Sequence, residues 1–152
     1  MAFVDFQNIL AKAQDFTESG STTSFLDCSQ KRNLGSGDPM ALVFIITTAA
    51  DTSDPAEQYT FALQSDSDPA FGTAVTEAEL TPDPATLIVG NRVIFPIPPS
   101  GDRYYRGYVT LAGSDADPGP QTIFPSVSAS CYVTPLFDLQ KDASFAAGFK
   151  IS

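Results

Sequence analysis

The stretch of sequence from Arg92 to Leu111 reads RVIFPIPPSGDRYYRGYVTL. Two apolar runs are separated in it by a segment rich in Pro and Gly, a pattern typical of two β-strands joined by a turn. The second run is dense in tyrosine, with Tyr104, Tyr105 and Tyr108. Because side chains alternate along a strand, we expect residues 104, 106 and 108 on one face and residues 105, 107 and 109 on the other. The stretch therefore predicts a β-hairpin.

Short apolar runs of the same kind recur along the whole chain, and five Asp-Pro dipeptides punctuate the sequence. Asp-Pro favours turns and strand starts, because the residue before Pro is held extended. The run from Met40 to Ala49 is nearly all apolar, as expected of a strand buried on both sides. The run YTFAL at residues 59–63 places Tyr59, Phe61 and Leu63 on one face, and Pro96 indicates an edge or a bulge. The pattern predicts an all-β fold, a jelly-roll-like antiparallel β-sandwich of seven or eight strands with short terminal arms.

Three segments are predicted from the distribution of these runs. Residues 1–24 form an N-terminal arm or a short helix, followed by a polar connector, since Phe3, Phe6 and Leu10 fall at steps of three and four. Residues 25–135 form the β-sandwich, and residues 136–152 form a C-terminal arm. That arm carries Phe145, Phe149 and Ile151 in polar surroundings. Apolar side chains on an arm need a surface to cover them, either on the sandwich or on a neighbour.

The charge balance excludes several classes of partner. The chain has 18 acidic and 8 basic residues, for a formal net charge of −10. An acidic chain is repelled by phosphate backbones and by anionic membranes, so we expect no nucleic-acid or membrane partner. No apolar run is long enough to span a bilayer, and the N-terminus lacks the basic region of a secretory signal.

The sequence also argues against catalysis. It has no histidine, which removes Ser-His-Asp and Cys-His arrangements and the usual metal-binding clusters. Cys28 and Cys131 are expected to be buried, reduced thiols rather than a disulfide or a metal site. Glu77 and Glu79 share a face if they lie on a strand, which leaves a glycosidase pair open as a minor alternative. Calcium is a stronger alternative, with oxygen ligands from Asp51, Asp54, Glu57, Asp66 and Asp68. We expect no enzyme, no cofactor and no metal.

Several segments resemble the capsid cement proteins of tailed bacteriophages, the family typified by the Bordetella phage cement protein. The similarity covers most of residues 1–112 and weakens from about Asp115. The segments that carry it are fold signatures and contain no catalytic motif. They are FVDFQNILAKAQDFT (residues 3–17), FLDCSQKRNLGSGDPMALVFII (25–46), YTFALQSDSDPAFGTAVT (59–76) and LIVGNRVIFPIPPSGDRYYRGYVTLAG (87–113).

This resemblance implies a structural role. Such a protein would be made in the bacterial host cytoplasm, would bind the exterior of an icosahedral head and would bridge subunits of the major capsid protein. We also expect a homodimer or homotrimer, because closed symmetry matches the local axes of a shell. The alternatives are a carbohydrate- or cell-surface-binding β-sandwich and, less favoured without histidine, a hydrolase.

The expected contact residues come from the hairpin and from the C-terminal arm. Arg and Tyr are favoured at protein interfaces, and Arg92, Arg103 and Arg106 are three of only eight basic residues. The predicted partner contacts are Arg103, Tyr105, Arg106, Phe145, Phe149 and Ile151.

Overall fold

β-Strands form nearly all the regular structure of this chain. The computed structural model describes residues 9–28, 40–52, 57–98, 102–113 and 126–135. No helix in these ranges has the length and apolar character that crossing a bilayer requires. The described ranges contain nine strands, and a turn of 3-10 helix at Pro84–Thr86 follows the sixth of them. The strands are β1 (Ile9–Phe16), β2 (Gly20–Ser21), β3 (Leu26–Asp27), β4 (Met40–Thr48), β5 (Gln58–Asp66), β6 (Val75–Leu80), β7 (Arg92–Pro96), β8 (Tyr104–Ala112) and β9 (Val127–Pro135).

The strands form two antiparallel sheets. Sheet A has the order β1-β9-β4-β7, and sheet B has the order β2-β8-β5-β6, with β3 also paired to β8. The pairing is nested: β1 pairs with β9, β2 and β3 pair with β8, β4 pairs with β7, and β5 pairs with β6. Two further pairings, β4 with β9 and β5 with β8, join these ribbons into the sheets. If β2 and β3 are counted as one interrupted strand, this is the eight-strand jelly roll, and the predicted fold class is confirmed.

The core lies between the sheets, and β4 is central to it. Leu42, Phe44 and Ile46 are 0–1% exposed and belong to the main core. The alternate residues Ala41 and Val43 are also fully buried, in a second cluster on the opposite face of sheet A. The prediction of a strand buried on both sides is therefore confirmed. Within the main core, the Phe44 ring meets Phe61 and Phe95 edge to face, with ring centroids 5.1 and 6.4 Å apart.

The hairpin predicted from residues 92–111 is wrong, although both of its strands exist. β7 pairs with β4 in sheet A, whereas β8 lies in sheet B between β5 and the two short strands. Seven residues separate the end of β7 from the start of β8 in the sequence, more than the two to five of usual hairpin loops, and the two strands belong to different sheets. Alternation indicates which residues share a face, but it does not indicate the pairing partner. Pro96 ends β7, which is an edge strand, as predicted.

Residues 9–16 form a strand, and the alternative of a short helix is wrong for them. β1 is irregular: its register with β9 shifts between Ile9 and Ala11 and again between Ala11 and Gln14. Ala13, in the second shift, has a positive φ of 45°, and its amide N–H donates to the Ser130 hydroxyl. Such bulges interrupt the two-residue period, so the apolar residues fall at spacings that imitate a helix.

The predicted boundary between residues 24 and 25 does not separate an arm from the sandwich. β1 is an edge strand of sheet A and β2 pairs with β8 in sheet B, so both belong to the jelly roll. Residues 1–8 and the predicted C-terminal arm, residues 136–152, lie outside the described residues.

Both cysteines are buried, as predicted. Cys28 is 2% exposed and Cys131 is 0% exposed. Burial raises the pKa of the Cys131 thiol well above its usual value, because a thiolate would be desolvated there.

Candidate functional site

The outer face of sheet B carries the arginine and tyrosine side chains singled out in the sequence. Along β8, Tyr105 and Val109 are fully buried toward the core. Tyr104, Arg106 and Tyr108 alternate with them and so project from the other side of the sheet. This confirms the predicted alternation and places a basic, aromatic row on the outside of the sandwich.

Arg106 lies at the centre of this row. It is opposite Gln64 on β5, and its Nε donates to Gln64 Oε1 at 2.9 Å. The guanidinium carbon is 4.4 Å from the ring centroid of Phe71 and 5.5 Å from that of Tyr108, within the range of cation–π attraction. Burial, partly offset by the nearby acidic groups of Tyr108 and Asp66, lowers the pKa of Arg106. The group nevertheless keeps its charge at neutral pH.

The loop after β5 brings Phe71 over Arg106. The Asp66 carboxylate is 2% exposed and accepts hydrogen bonds from the backbone N–H groups of Asp68 and Thr73 and from the Thr73 hydroxyl. Burial alone would raise its pKa, but these hydrogen bonds outweigh that effect and hold the pKa of Asp66 below its usual value. The closed loop fixes Phe71 in the left-handed region, with φ at 52°. A bulky residue rarely adopts this conformation, so the loop places Phe71 at a conformational cost.

A second arginine extends the surface toward β3. Arg103 donates from Nε and Nη2 to the two carboxylate oxygens of Asp27, at 2.8 and 3.1 Å. These hydrogen bonds raise the pKa of Arg103, and its guanidinium carbon is 4.9 Å from the Tyr104 ring centroid. Phe25, which is 41% exposed, meets Phe71 and Tyr104 edge to face, with centroids 5.8 and 5.5 Å apart.

We refer to these six residues as the arginine–aromatic face. Arg and aromatic side chains are enriched in protein interfaces, where a few of them supply most of the binding energy. The rings contact one another and the guanidinium groups, so the face is ordered before any partner arrives. Its members are Phe25, Phe71, Arg103, Tyr104, Arg106 and Tyr108.

The structure separates the predicted contact residues. Arg103 and Arg106 lie together on the arginine–aromatic face, but Tyr105 is 0% exposed and points into the core. The prediction of a surface contact for Tyr105 is therefore corrected, since Arg106 and Tyr105 are on opposite faces of one strand. Arg92 is on β7 in the other sheet. Phe145, Phe149 and Ile151 lie outside the described residues.

Four of the six members of the face were not among the predicted contacts; Tyr104 and Tyr108 were at least placed by alternation on the same side of the strand as Arg106, but Phe25 and Phe71 were not. Phe71 comes from a loop and Phe25 from a short apolar run, so strand periodicity gives no signal for either residue. The available signal for Phe71 is a large apolar residue at the end of the polar segment SDSDPAFG, which begins at Ser65.

Among the described residues, the acidic side chains do not form the glycosidase pair or the calcium site that the sequence left open as alternatives. Glu79 lies opposite Ala62, whereas a register shift lets Glu77 accept a hydrogen bond from the inward-facing Ser65 hydroxyl at 2.5 Å. The two glutamates are therefore not on one face, as the glycosidase alternative requires. Of the calcium ligands expected from the sequence, Asp54 lies outside the described residues, and the Asp66 carboxylate is occupied by its own loop. No group of three potential metal ligands occurs within the described part of the chain.

A separate apolar surface lies where the outer edges of the two sheets approach each other. Leu80 ends β6, Ile94 lies on β7, and Ile88 and Val89 lie between these strands. These side chains are 40–66% exposed. We call this group the edge patch. Exposed apolar groups of this size favour contact with another protein surface.

The comparison with family models gives one match. The model of the Bbp16 family matches residues 10–123 of this chain. That range covers β1 from Leu10 onward and all of β2 to β8, and it contains every residue of the arginine–aromatic face and the edge patch. No curated protein matches the chain.

Proposed function

The chain belongs to the Bbp16 family, a family of Bordetella-phage type, and we propose that it is a capsid cement protein. In this proposal it binds the outside of an icosahedral phage head and bridges adjacent subunits of the major capsid protein. Its place is then the exterior of the virion, after synthesis in the host cytoplasm. The proposal assigns it no reaction, no cofactor and no nucleic-acid or membrane partner.

The observation that carries the proposal is the extent of the family match. The matched range, residues 10–123, includes strands of both sheets and spans the segments that carry the arginine–aromatic face. Jelly rolls occur in viral capsid proteins, but they also occur in lectins, and a fold does not by itself determine a function. The resemblance of the sequence to phage cement proteins favours the first of these roles.

A bridging role follows from mechanical considerations. Packaged DNA presses a capsid outward, and a protein bound across the seam between two subunits adds interface area there. We propose that the chain acts as a homodimer or homotrimer. When one copy in such an oligomer has bound the head, binding of the remaining copies is intramolecular. Contacts that are individually weak therefore produce tight attachment. The net charge of −10 either complements a basic region of the capsid or keeps many copies in solution before assembly.

Cryo-electron microscopy of the phage that encodes this chain tests the proposal. We expect jelly-roll density on the outer surface of the head, over contacts between major capsid subunits. In a companion experiment, purified protein is added to heads that lack it, and the forces that break the heads are compared. Protein found only in the tail, or heads whose strength is unchanged at full occupancy, would contradict a cementing role.

The carbohydrate-binding alternative is weakened by the arrangement of the rings. A sugar stacks on the open face of an aromatic ring. Tyr104 and Phe71 are each 8% exposed and are approached by Arg103 and Arg106, respectively. A glycan array probed with the purified protein distinguishes the two functions, since a cement protein should give no specific signal.

A further inference from the structure

Arg106 is a half-buried cation, and its contacts with neighbouring side chains do not satisfy all of its hydrogen-bond donors. Its Nε is satisfied by Gln64, and its planar group contacts Phe71 and Tyr108. Among the described residues, no carboxylate lies within ion-pair distance of it, and its two terminal amino groups have no hydrogen-bond acceptor. A charge that is partly removed from water is unfavourable, the nearby charge of Asp66 offsets that cost only in part, and an acceptor from outside would relieve more of it.

Arg103 provides a comparison on the same face. Its guanidinium is already paired with Asp27 through two hydrogen bonds. An external carboxylate would have to displace Asp27 there, at the cost of the existing pair. Of the two arginines of the face, Arg106 is therefore the one prepared to bind a new partner.

We propose that Arg106 binds an aspartate or glutamate side chain of the major capsid protein through its two terminal amino groups. This inference rests on the proposed function. Contact between two guanidinium nitrogens and two carboxylate oxygens is directional and stronger than a hydrogen bond between neutral groups. The stacked rings hold the guanidinium in place, so little side-chain freedom is lost on binding.

A second copy of this chain fits the face less well. In a symmetric dimer each copy would present the same face to the other. Two carboxylates beside the face, Asp27 and Asp66, are already engaged by Arg103 and by the loop after β5. The uncharged edge patch is better suited to bring two acidic copies together. We therefore assign the capsid protein, and not a second copy, to Arg106.

Binding to heads that lack the protein tests this inference with the full-length chain. Wild-type protein, Arg106→Gln, Arg106→Lys and the control Arg92→Lys, which lies on β7 in the other sheet, are titrated onto the heads at low and at high salt. Loss of a charge-assisted pair is expected to weaken binding about tenfold to a hundredfold in Arg106→Gln. Arg106→Lys keeps the charge but loses the two-point contact, so most of the loss should remain, whereas Arg92→Lys, outside the arginine–aromatic face, should bind nearly as well as wild type. High salt should reduce the differences in head affinity between wild type and the Arg106 variants, because it screens the charges.

The outcomes separate this inference from the proposed function. If wild-type protein binds heads and Arg106→Lys binds equally well, the role of Arg106 is overturned and the cement function stands. If wild-type protein does not bind, both are overturned. Light scattering measures the oligomeric state and so tests whether Arg106 binds a second copy of the chain. An Arg106→Gln protein that dissociates into monomers but binds heads normally would overturn the assignment to the capsid protein. Thermal unfolding of each variant checks that it is folded. If Arg106→Gln does not fold, the loss of binding is measured with Arg106→Lys alone.

Discussion

Gly107 shows how closely the core restricts a single residue. It lies in the middle of β8 on the core side, where a methyl group would collide with the Phe44 ring and lie 2.9 Å from Thr22 Cγ2. We expect Gly107→Ala to destabilise the fold by about 1–3 kcal/mol, the usual cost of overpacking. Urea unfolding measures the change. Gly20→Ala on β2 is the control, because nothing lies within 4 Å of the added carbon. Equal stability of the two variants would contradict the packing described for Phe44.

Two buried tyrosines predict how stability depends on alkaline pH. Burial, with the charge of Glu57, raises the pKa of Tyr59 to about 12, and burial raises that of Tyr105 to about 12. An unfolded chain loses these protons near pH 10, whereas the folded chain keeps them, so the free energy of unfolding should fall as pH rises from about 10 to about 12. In a titration followed by tyrosinate absorbance, Tyr59→Phe and Tyr105→Phe should each remove a late step.

At the scale of elements, the loop after β5 depends on one carboxylate. The pKa of Asp66 is below its ordinary value, so its charged form stabilises the fold above the pKa of the unfolded chain, and this contribution is lost as pH falls through the folded pKa. We expect Asp66→Asn to lower the thermal midpoint at neutral pH and to flatten the dependence of stability on acid. Asp68→Asn is the control, since Asp68 is exposed and its carboxylate accepts a hydrogen bond from the backbone N–H of Ala70. A larger loss in Asp68→Asn would contradict this account of the loop.

Strand identity and strand pairing differ in how well the sequence predicts them. β4, β5, β7 and β8 are recognisable because apolar runs and two-residue alternation are local properties. The pairing of β7 with β4, and of β8 with β5, joins residues that are far apart in sequence. β1 was not recognised as a strand for a similar reason. Its bulges depend on its register with β9, a strand that is distant in sequence.

At the scale of the whole molecule, the C-terminal segment remains a predicted contact. Every described strand ends by Pro135, so deletion of residues 145–152 removes none of the pairings of the sandwich. We expect this deletion to weaken binding to heads more than it lowers the thermal midpoint, because Phe145, Phe149 and Ile151 are proposed to contact a neighbour. A variant that keeps residues 145–152 but carries Ser at these three positions is the control for length. Comparable losses of head affinity and thermal stability would count against the prediction.

The candidate site was only partly readable from the sequence. Arg103 and Arg106 stood out because basic residues are rare in this chain. Tyr105 was misassigned although alternation already put it opposite Arg106, with Val109, so the sequence contained the signal for its burial. Phe25 and Phe71 join the face only because a loop and a short strand fold over sheet B.

The β-sandwich fold, and the residues of each long strand that share a face, could be predicted from the sequence because both follow from the geometry of neighbouring residues. The pairing of the first strand with the last, the separation of the two halves of the Arg92–Leu111 stretch into different sheets, and the contact of Phe71 with Arg106 became visible only in the folded molecule. These contacts join distant residues, and their free energy is gained only when both sheets have closed over a common core.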